Sequence, residues 1–240
     1  MVELTELKNP ETEDYPDREG RTKPVKALKA DGVERIEGRN VILEFDGNKC
    51  IHSRFCVTEA PESFVGDADG PWLYPDDTDS DELYAVGREC PSGAIRIKRK
   101  DGGREEQPPQ TNLMKLWENG PLEVRANLKV NGKEDGFRRT LCRCGKSGSK
   151  PYCDGSHTEG FIASGEVEPK NDTKLESRQG ELNINPQKDG PFEVNGPLEI
   201  CCHSGAVIAR TKSCYLCRCG HSDNKPFCDG SHEKVGFQAN

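Results

Sequence analysis

Cys217-Arg-Cys219-Gly-His-Ser222-Asp-Asn-Lys-Pro226-Phe-Cys228-Asp229-Gly230-Ser231-His232 occurs twice in this chain. The other copy is Cys142-Arg-Cys144-Gly-Lys-Ser147-Gly-Ser-Lys-Pro151-Tyr-Cys153-Asp154-Gly155-Ser156-His157. Both place three Cys and one His at the spacing C-x-C-x8-C-x3-H, a complete set of four soft ligands within sixteen residues. Thiolate and imidazole are the donors a soft metal centre needs. Ligand type alone leaves structural zinc, Cys3His, open. The single residue inside C-x-C argues against it, because zinc sites usually separate paired Cys by roughly two to four residues. The close C-x-C pair suits one metal atom, and the third Cys with the His suits a second. Asp154 and Asp229 are placed to cap a helical turn. Gly155 and Gly230 let backbone approach the centre, and amides at that turn would offset thiolate charge.

The composition agrees with a chain that relies on such centres. Only 32% of its 240 residues are hydrophobic and 6% aromatic, against 25 Gly and 16 Pro, which is little material for a large apolar core. Small domains short of core are usually stapled by disulfides or metals, and twelve Cys are available. No apolar run approaches the roughly 20 residues of a membrane span. The start, Met1-Val-Glu-Leu-Thr-Glu, lacks the basic and apolar regions of a signal peptide. These features predict a soluble, cytoplasmic protein without a membrane anchor, whose closely spaced Cys bind metal. A net charge of −8 argues against nucleic acid as a partner.

The repeat extends beyond the Cys loops. Asn119-Gly-Pro-Leu-Glu-Val124 matches Asn195-Gly-Pro-Leu-Glu-Ile200 at an offset of 76, while the Cys motifs match at 75. On this register Cys201, Cys202 and Cys214 align with Arg125, Ala126 and Arg139, so they read as structural thiols outside the sites. Gly190–Val194 reads as a further strand and crossover. Arg143 and Arg218, one after each first Cys, could hydrogen-bond a cluster or a partner, and surface positions are the preferred reading. A repeat this short cannot bury a face alone, so the copies are expected to pack as a pseudo-two-fold pair of small β-units.

The motif C-x-C-x2-S-x3-P-x-C-D-G-S-H resembles the CDGSH iron–sulfur domain, the mitoNEET type, over roughly residues 115–237. Both copies match at every motif position. The resemblance implies a [2Fe–2S] cluster in each copy. Cys142 and Cys144 would bind one iron and Cys153 and His157 the other; Cys217 and Cys219 would likewise face Cys228 and His232. The tandem arrangement is similar to the monomeric two-motif branch of that family. Imidazole in place of one thiolate raises the reduction potential relative to four Cys, and it can take up a proton near neutral pH.

Upstream, Cys50-Ile-His52-Ser53-Arg-Phe-Cys56 precedes Cys90-Pro91-Ser-Gly-Ala. This is similar to a ferredoxin loop C-x2-C-x2-C…C-P with Ser53 in the middle position. The segment 38–100 resembles a divergent single-cluster ferredoxin domain. Three Cys suit a [3Fe–4S] cluster; a [4Fe–4S] cluster would need Ser53, His52 or solvent on its fourth iron. Strands are expected at Val41–Phe45 and around Ile95 and Ile97, a turn at Asp46–Asn48, and a helix at Glu82–Gly87 capped by Ser80 or Asp79. Trp72 and Trp117 are expected in core or interface.

The predicted fold class is α+β, β-rich and loop-rich. Its parts are a polar N-terminal segment 1–37, tail-like in composition but expected to pack along another part of the molecule, a ferredoxin-like domain 38–100, a linker 101–114, and CDGSH units 115–170 and 171–240. No nucleotide loop, flavin site or acid–base constellation is recognisable, so an enzyme is not expected. The leading expectation is an electron carrier working between unidentified redox proteins. Cluster storage, delivery to acceptor proteins, and redox or iron sensing through the labile His form the alternative class, and a structural zinc protein a third.

Overall fold

The structure is a computed structural model and describes residues 20–239. It divides into two compact units, residues 1–106 and 107–240, and each is described by itself.

The first unit is a four-stranded antiparallel sheet in the order β1 (Lys26–Ala30), β2 (Val33–Glu37), β3 (Val41–Asp46), β4 (Ile95–Arg99). The chain reaches β4 through a short helix α1 (Phe55–Glu59) and the longer α2 (Ser80–Glu89). Strands β3 and β4 fall where the alternation of Val41, Leu43, Ile95 and Ile97 puts them, with these four residues buried. Helix α2 starts at Asp79, whose Oδ1 accepts from the Asp81 and Glu82 amides at 2.9 and 3.4 Å. The turn after β3 is a short 3-10 helix, Gly47–Lys49, capped by Asp46.

The described part of the polar segment 1–37 is packed, as expected, despite its tail-like composition: β1 and β2 form a hairpin that extends the sheet. Asp31 and Gly32 form its two-residue turn, both at positive φ (48° and 78°). Asp-Gly supplies the backbone such a hairpin turn needs. Residues 1–19 lie outside the described residues. The core gathers Leu43, Phe64, Leu73, Leu83 and Ile95, with Trp72 packed edge-on against Phe45 at 4.7 Å.

The second unit is one larger mixed sheet. Each copy contributes three antiparallel strands. In the first they are β5 (Leu113–Leu116), β6 (Leu122–Arg125) and β9 (Arg138–Leu141), with a hairpin β7 (Asn127–Val130) and β8 (Lys133–Glu134) between the last two. In the second they are β11 (Glu181–Pro186), β12 (Phe192–Cys201) and β13 (Val207–Leu216). A two-residue strand β10 (Asn171–Asp172) lies parallel to β13, and α3 (Ser231–Lys234) closes the chain.

The copies join by two parallel pairings: β5 runs beside the end of β12 and β7 beside β11. The buried faces share one core, including Met114, Leu122, Leu128, Ile184, Phe192 and Leu198. Asn112, fully buried, ties the seam: its Nδ2 donates to the Gly180 and Pro197 carbonyls at 3.0 and 2.9 Å.

The strand register corrects the sequence alignment. Leu122 pairs with Leu141, the residue before Cys142, and Phe192 pairs with Leu216, the residue before Cys217. Leu122 therefore corresponds to Phe192, not Leu198. Asn119 and Asp189 agree: both have positive φ (49° and 53°), and their side chains accept from the Ala163 and Ala239 amides. Leu122 and Phe192 are 70 residues apart and the first Cys of the motifs 75, so the second copy gains five residues instead of losing one. Leu128 bonds to the Gly136 backbone as Leu198 pairs with Thr211, so the extra residues fall at the hairpin tip around Cys201–Val207. Cys201 and Cys202 thus belong to a longer hairpin rather than facing Arg125 and Ala126. Of the Gly190–Val194 segment, Gly190 and Pro191 close the preceding turn and Phe192–Val194 open β12, continuous with Leu198–Cys201 through a bulge. The match Asn-Gly-Pro-Leu-Glu misled because Asp189-Gly-Pro-Phe-Glu-Val194 carries the same turn with two conservative changes.

Candidate metal centres

Strand β9 delivers Cys142 and strand β13 delivers Cys217 at its end. Each is fixed by its own amide, donating to the Pro151 carbonyl at 2.9 Å and the Pro226 carbonyl at 2.8 Å. The third Cys is returned to the same strand: Cys153 N–H donates to Thr140 and Cys228 N–H to Tyr215, both at 2.9 Å. Between them the loop is braced by a buried serine. Ser147 Oγ donates to the Tyr152 carbonyl at 2.7 Å and accepts from Ser149 N–H at 3.0 Å. Ser222 makes the same pair of bonds with Phe227 and Asn224 at 2.7 and 3.0 Å. The motif serine is therefore a brace.

Asp154 and Asp229 do not cap by the expected geometry. The cap positions are Gly155 and Gly230, both left-handed and without side chains to offer. One residue earlier, Asp154 Oδ1 accepts from Ser156 N–H at 3.0 Å and Oδ2 from Gly148 N–H at 2.7 Å. Asp229 accepts from Ser231 and Asp223 at 3.0 and 2.8 Å. Each carboxylate so pins the two arms of its loop together. For Asp154 burial opposes ionisation, but the bonds from Ser156 and Gly148 outweigh it and hold the carboxyl down at about 2.

The expected ligands come together as pairs. Cys142 and Cys144 have their Sγ atoms 3.8 Å apart, and so do Cys217 and Cys219. Cys153 Sγ lies 3.2 Å from His157 Nδ1, and Cys228 Sγ 3.4 Å from His232 Nδ1. Backbone amides are aimed at the sulfurs. Lys146 and Gly155 donate to Cys144 and Cys153, and His221 and Gly230 to Cys219 and Cys228, all at 3.4 Å. Burial pushes the Cys153 and Cys219 thiols up to about 11, with the Cys144 charge adding to the first and the Cys217 charge to the second. Cys144 moves the other way, down to about 6, because Cys142 donates a hydrogen bond to it. Thiols this poorly solvated become thiolates most readily against a cation.

Among the described residues, no three His, Cys, Asp or Glu side chains gather as a mononuclear site needs.

In the first unit Cys50, Cys56 and Cys90 line one cavity of 370 Å³, together with Ser53, His52 and Trp72. Cys50 follows the 3-10 turn, Cys56 sits in α1, and Cys90 ends α2. The loop between the first two is held in an unusual backbone, with His52 and Arg54 at φ 54° and 65°. His52 N–H donates to Cys50 Sγ at 3.4 Å. Burial raises Cys50 and pushes Cys56 up to about 11, with small contributions from the neighbouring thiols.

The family comparisons coincide with these sites. Residues 119–158 and 189–233 each match the iron-binding zinc finger CDGSH type, and residues 36–100 match the divergent 4Fe-4S mono-cluster family. The chain carries two CDGSH-type units behind a divergent single-cluster ferredoxin-like domain. It is an iron–sulfur protein. No curated protein matches it. Among the described residues no helix is long and apolar enough to cross a membrane. The donor geometry fits the implied clusters: in each CDGSH unit soft donors stand two and two, as a binuclear centre requires.

One preferred reading in the CDGSH units is corrected. Arg143 and Arg218, expected at the surface, are each 1% exposed. Arg143 donates to the carbonyls of Trp117 and Ser164 at 2.9 and 2.6 Å, and Arg218 to that of Gln187 at 2.9 Å. The signal was present: a residue between two Cys on the same side must point the other way, into the unit. Trp117 is half-buried, its Nε1 donating to Glu123 at 2.9 Å. Cys201 and Cys202 are buried, and Cys202 Sγ exchanges bonds with the Val167 backbone at 3.3 and 3.4 Å.

Proposed function

We propose that this chain is an electron carrier with three clusters, acting between protein partners. Two are [2Fe–2S] clusters, one on Cys142, Cys144, Cys153 and His157, the other on Cys217, Cys219, Cys228 and His232. A third, ferredoxin-type cluster sits on Cys50, Cys56 and Cys90. The three-thiol set favours [3Fe–4S]; the matched family's description favours [4Fe–4S], with Ser53 or His52 nearest to supply a fourth donor.

The observation that supports this reading is the grouping of donors into one Sγ–Sγ pair and one Sγ–Nδ1 pair, repeated in both units. When bound, each cluster would supply storage for one electron. The protein's part is to hold thiolates with aimed amides, to exclude water around Cys142 and Cys217, and to present imidazole Nδ1. The reciprocal strand pairing supports a pseudo-two-fold arrangement of the units 115–170 and 171–240, which would satisfy within one chain what single-motif relatives need two chains for. A cytoplasmic monomer that binds redox proteins, and neither nucleic acid nor a membrane, completes the reading.

One observation favours a second role in cluster delivery or sensing. His232 keeps 16% of its side chain exposed, with Nε2 3.9 Å from Glu233 Oε1, so protons can reach the ring. A protonated imidazole no longer binds metal. EPR with iron and sulfide quantitation on anaerobically purified protein tests the proposal. Two [2Fe–2S] signals and one further cluster are expected. Stoichiometric zinc without acid-labile sulfide would refute it, and rapid cluster loss to an apo-acceptor would favour delivery.

A further inference from the structure

The residues that lengthen the second copy's hairpin end on the first copy. The chain leaving the first motif, residues 159–167, passes over that copy's own centre as a strap. Phe161 and Ala163 are buried against Cys142 and Cys144, and Phe161 N–H donates to the His157 carbonyl at 3.1 Å. Asn119 fixes Ala163 from both sides. The Ala163 amide donates to Asn119 Oδ1 at 2.9 Å, and its carbonyl accepts from Asn119 N–H at 3.0 Å. The second copy repeats the strap as far as Ala239. Phe237 N–H donates to the His232 carbonyl at 3.0 Å, and Ala239 exchanges the same two bonds with Asp189, both at 2.8 Å.

Beyond Ala163 the first strap is clamped by the hairpin tip. His203 N–H donates to the Gly165 carbonyl at 2.9 Å. Ser204 donates twice to Glu166, from N–H to Oε1 at 2.7 Å and from Oγ to Oε2 at 2.9 Å. Val167 exchanges its bonds with Cys202 Sγ. Gly165 is squeezed between the two sides: a Cβ there would stand 2.7 Å from the Glu118 nitrogen and 2.9 Å from His203 Cβ. The first copy's shorter hairpin is turned elsewhere, with Asn131 N–H at its tip donating to the Ile184 carbonyl on β11 at 3.1 Å. Burial follows the clamp. Phe161, Ala163 and Cys153 are 9%, 8% and 5% exposed, whereas Phe237, Ala239 and Cys228 are half-buried.

We infer that the lengthened β12–β13 hairpin divides the work of the two centres: it locks the first under its strap as the retained centre and leaves the second as the one that exchanges with partners. This rests on the ligand sets proposed above. A covered centre meets a competing ligand only when the backbone over it opens, and opening is rarer where more bonds must break together. In the oxidised protein the second centre therefore gives up ferric iron to a chelator first. Its bonds from iron to thiolate and imidazole are replaced by chelator bonds. Each bridging sulfide leaves with two protons as hydrogen sulfide, and no electrons move.

The test is an EDTA challenge of oxidised single-centre variants, followed by visible absorbance and released sulfide. Cys153→Ala keeps the second centre and Cys228→Ala the first. The first is expected to bleach about tenfold more slowly than the second. Glu166→Ala, which removes both Ser204 bonds, is expected to speed loss of the first by about tenfold and to leave the second at its starting rate. Gly165→Ala, which forces the strap off His203, should act in the same direction. Equal rates, a slower second centre, or Glu166→Ala acting on both centres or on neither overturns the inference. Should a single-centre variant fail to load, amide hydrogen exchange in the wild-type chain decides. Phe161 is expected to be better protected than Phe237 and to lose that advantage in Glu166→Ala; equal protection in the wild type overturns the clamp. Zinc without acid-labile sulfide would instead refute the ligand sets, and the exchange comparison then judges the clamp by itself.

Discussion

Gly145 faces the carbonyl oxygen of Cys219 so closely that a Cβ on it would stand 2.4 Å away, and its φ is +77°. The contact joins one C-x-C loop to the other. Gly145→Ala would meet both the left-handed backbone and a carbonyl that a second loop holds in place. A loss of about 1–3 kcal/mol is expected, read as a lower denaturant midpoint with an unchanged slope. Gly220→Ala should behave alike, whereas Gly132→Ala, with nothing within 4 Å but a similar φ of +71°, should cost less.

The two histidines proposed as ligands make the second prediction. Burial lowers the His157 pKa from its ordinary 6.5, against a smaller opposing influence of Asp154. A base whose folded value is depressed favours the neutral ring in the fold. That contribution is present above 6.5 and is lost as pH falls below it. Absorbance bleaching should therefore accelerate below about pH 6.5, and His157→Cys and His232→Cys should slow it and lower the midpoint potential. Equal acid lability in wild type and both variants would exclude the histidines as the cause.

Tyr152 supplies an alkaline limit. Its hydroxyl donates to Asp135 Oδ2 at 2.9 Å, its ring lies 4.8 Å from the Arg139 guanidinium, and Arg139 pairs with Asp135. Burial first, then the Asp135 charge, pushes the phenol from 10.0 up to about 12. The neutral phenol is favoured in the fold, so its contribution is complete below pH 10 and lost as pH rises towards 12. Tyr152→Phe should cost about 1 kcal/mol at neutral pH and should flatten the stability profile above pH 10.

Asn112 is the strongest stability prediction. Asn112→Ala would remove a fully buried side chain and both of its hydrogen bonds, to the Gly180 and Pro197 carbonyls. A loss of about 2–3 kcal/mol is expected, seen in thermal or urea unfolding, with the iron content of folded protein unchanged.

Cys201, Cys202 and Cys214 should be dispensable for the clusters. Burial pushes the Cys214 thiol up to about 12, and Cys202 is bonded to the Val167 backbone. Replacing each by alanine should leave iron and sulfide per chain unchanged, while Cys153→Ala should remove one cluster's worth of both.

The candidate ligands were legible because their chemistry is local. Sixteen residues carry all four donors, and the braces on them, Ser147, Asp154 and their counterparts, lie within the same stretch. Strands β3 and β4 and helix α2 were legible from alternation and from Asp79, since half-buried elements with a cap announce themselves. The β1–β2 hairpin was hidden because Leu28 and Ile36 sit among charged residues, and only the Asp31-Gly32 turn marked it.

The sequence by itself determined what the chain can bind: thiolates and imidazoles two and two, twice over, and a third Cys set in front. Tertiary structure decided what surrounds those donors. Strand pairing, not residue identity, settled that Leu122 answers to Phe192 and that Cys201 and Cys202 belong to a lengthened hairpin. Packing turned Arg143 and Arg218 from surface residues into buried cations held by backbone carbonyls. The physical reason is range. Ligand spacing acts over a few bonds, whereas burial and register depend on which distant strand fills the space on the other side.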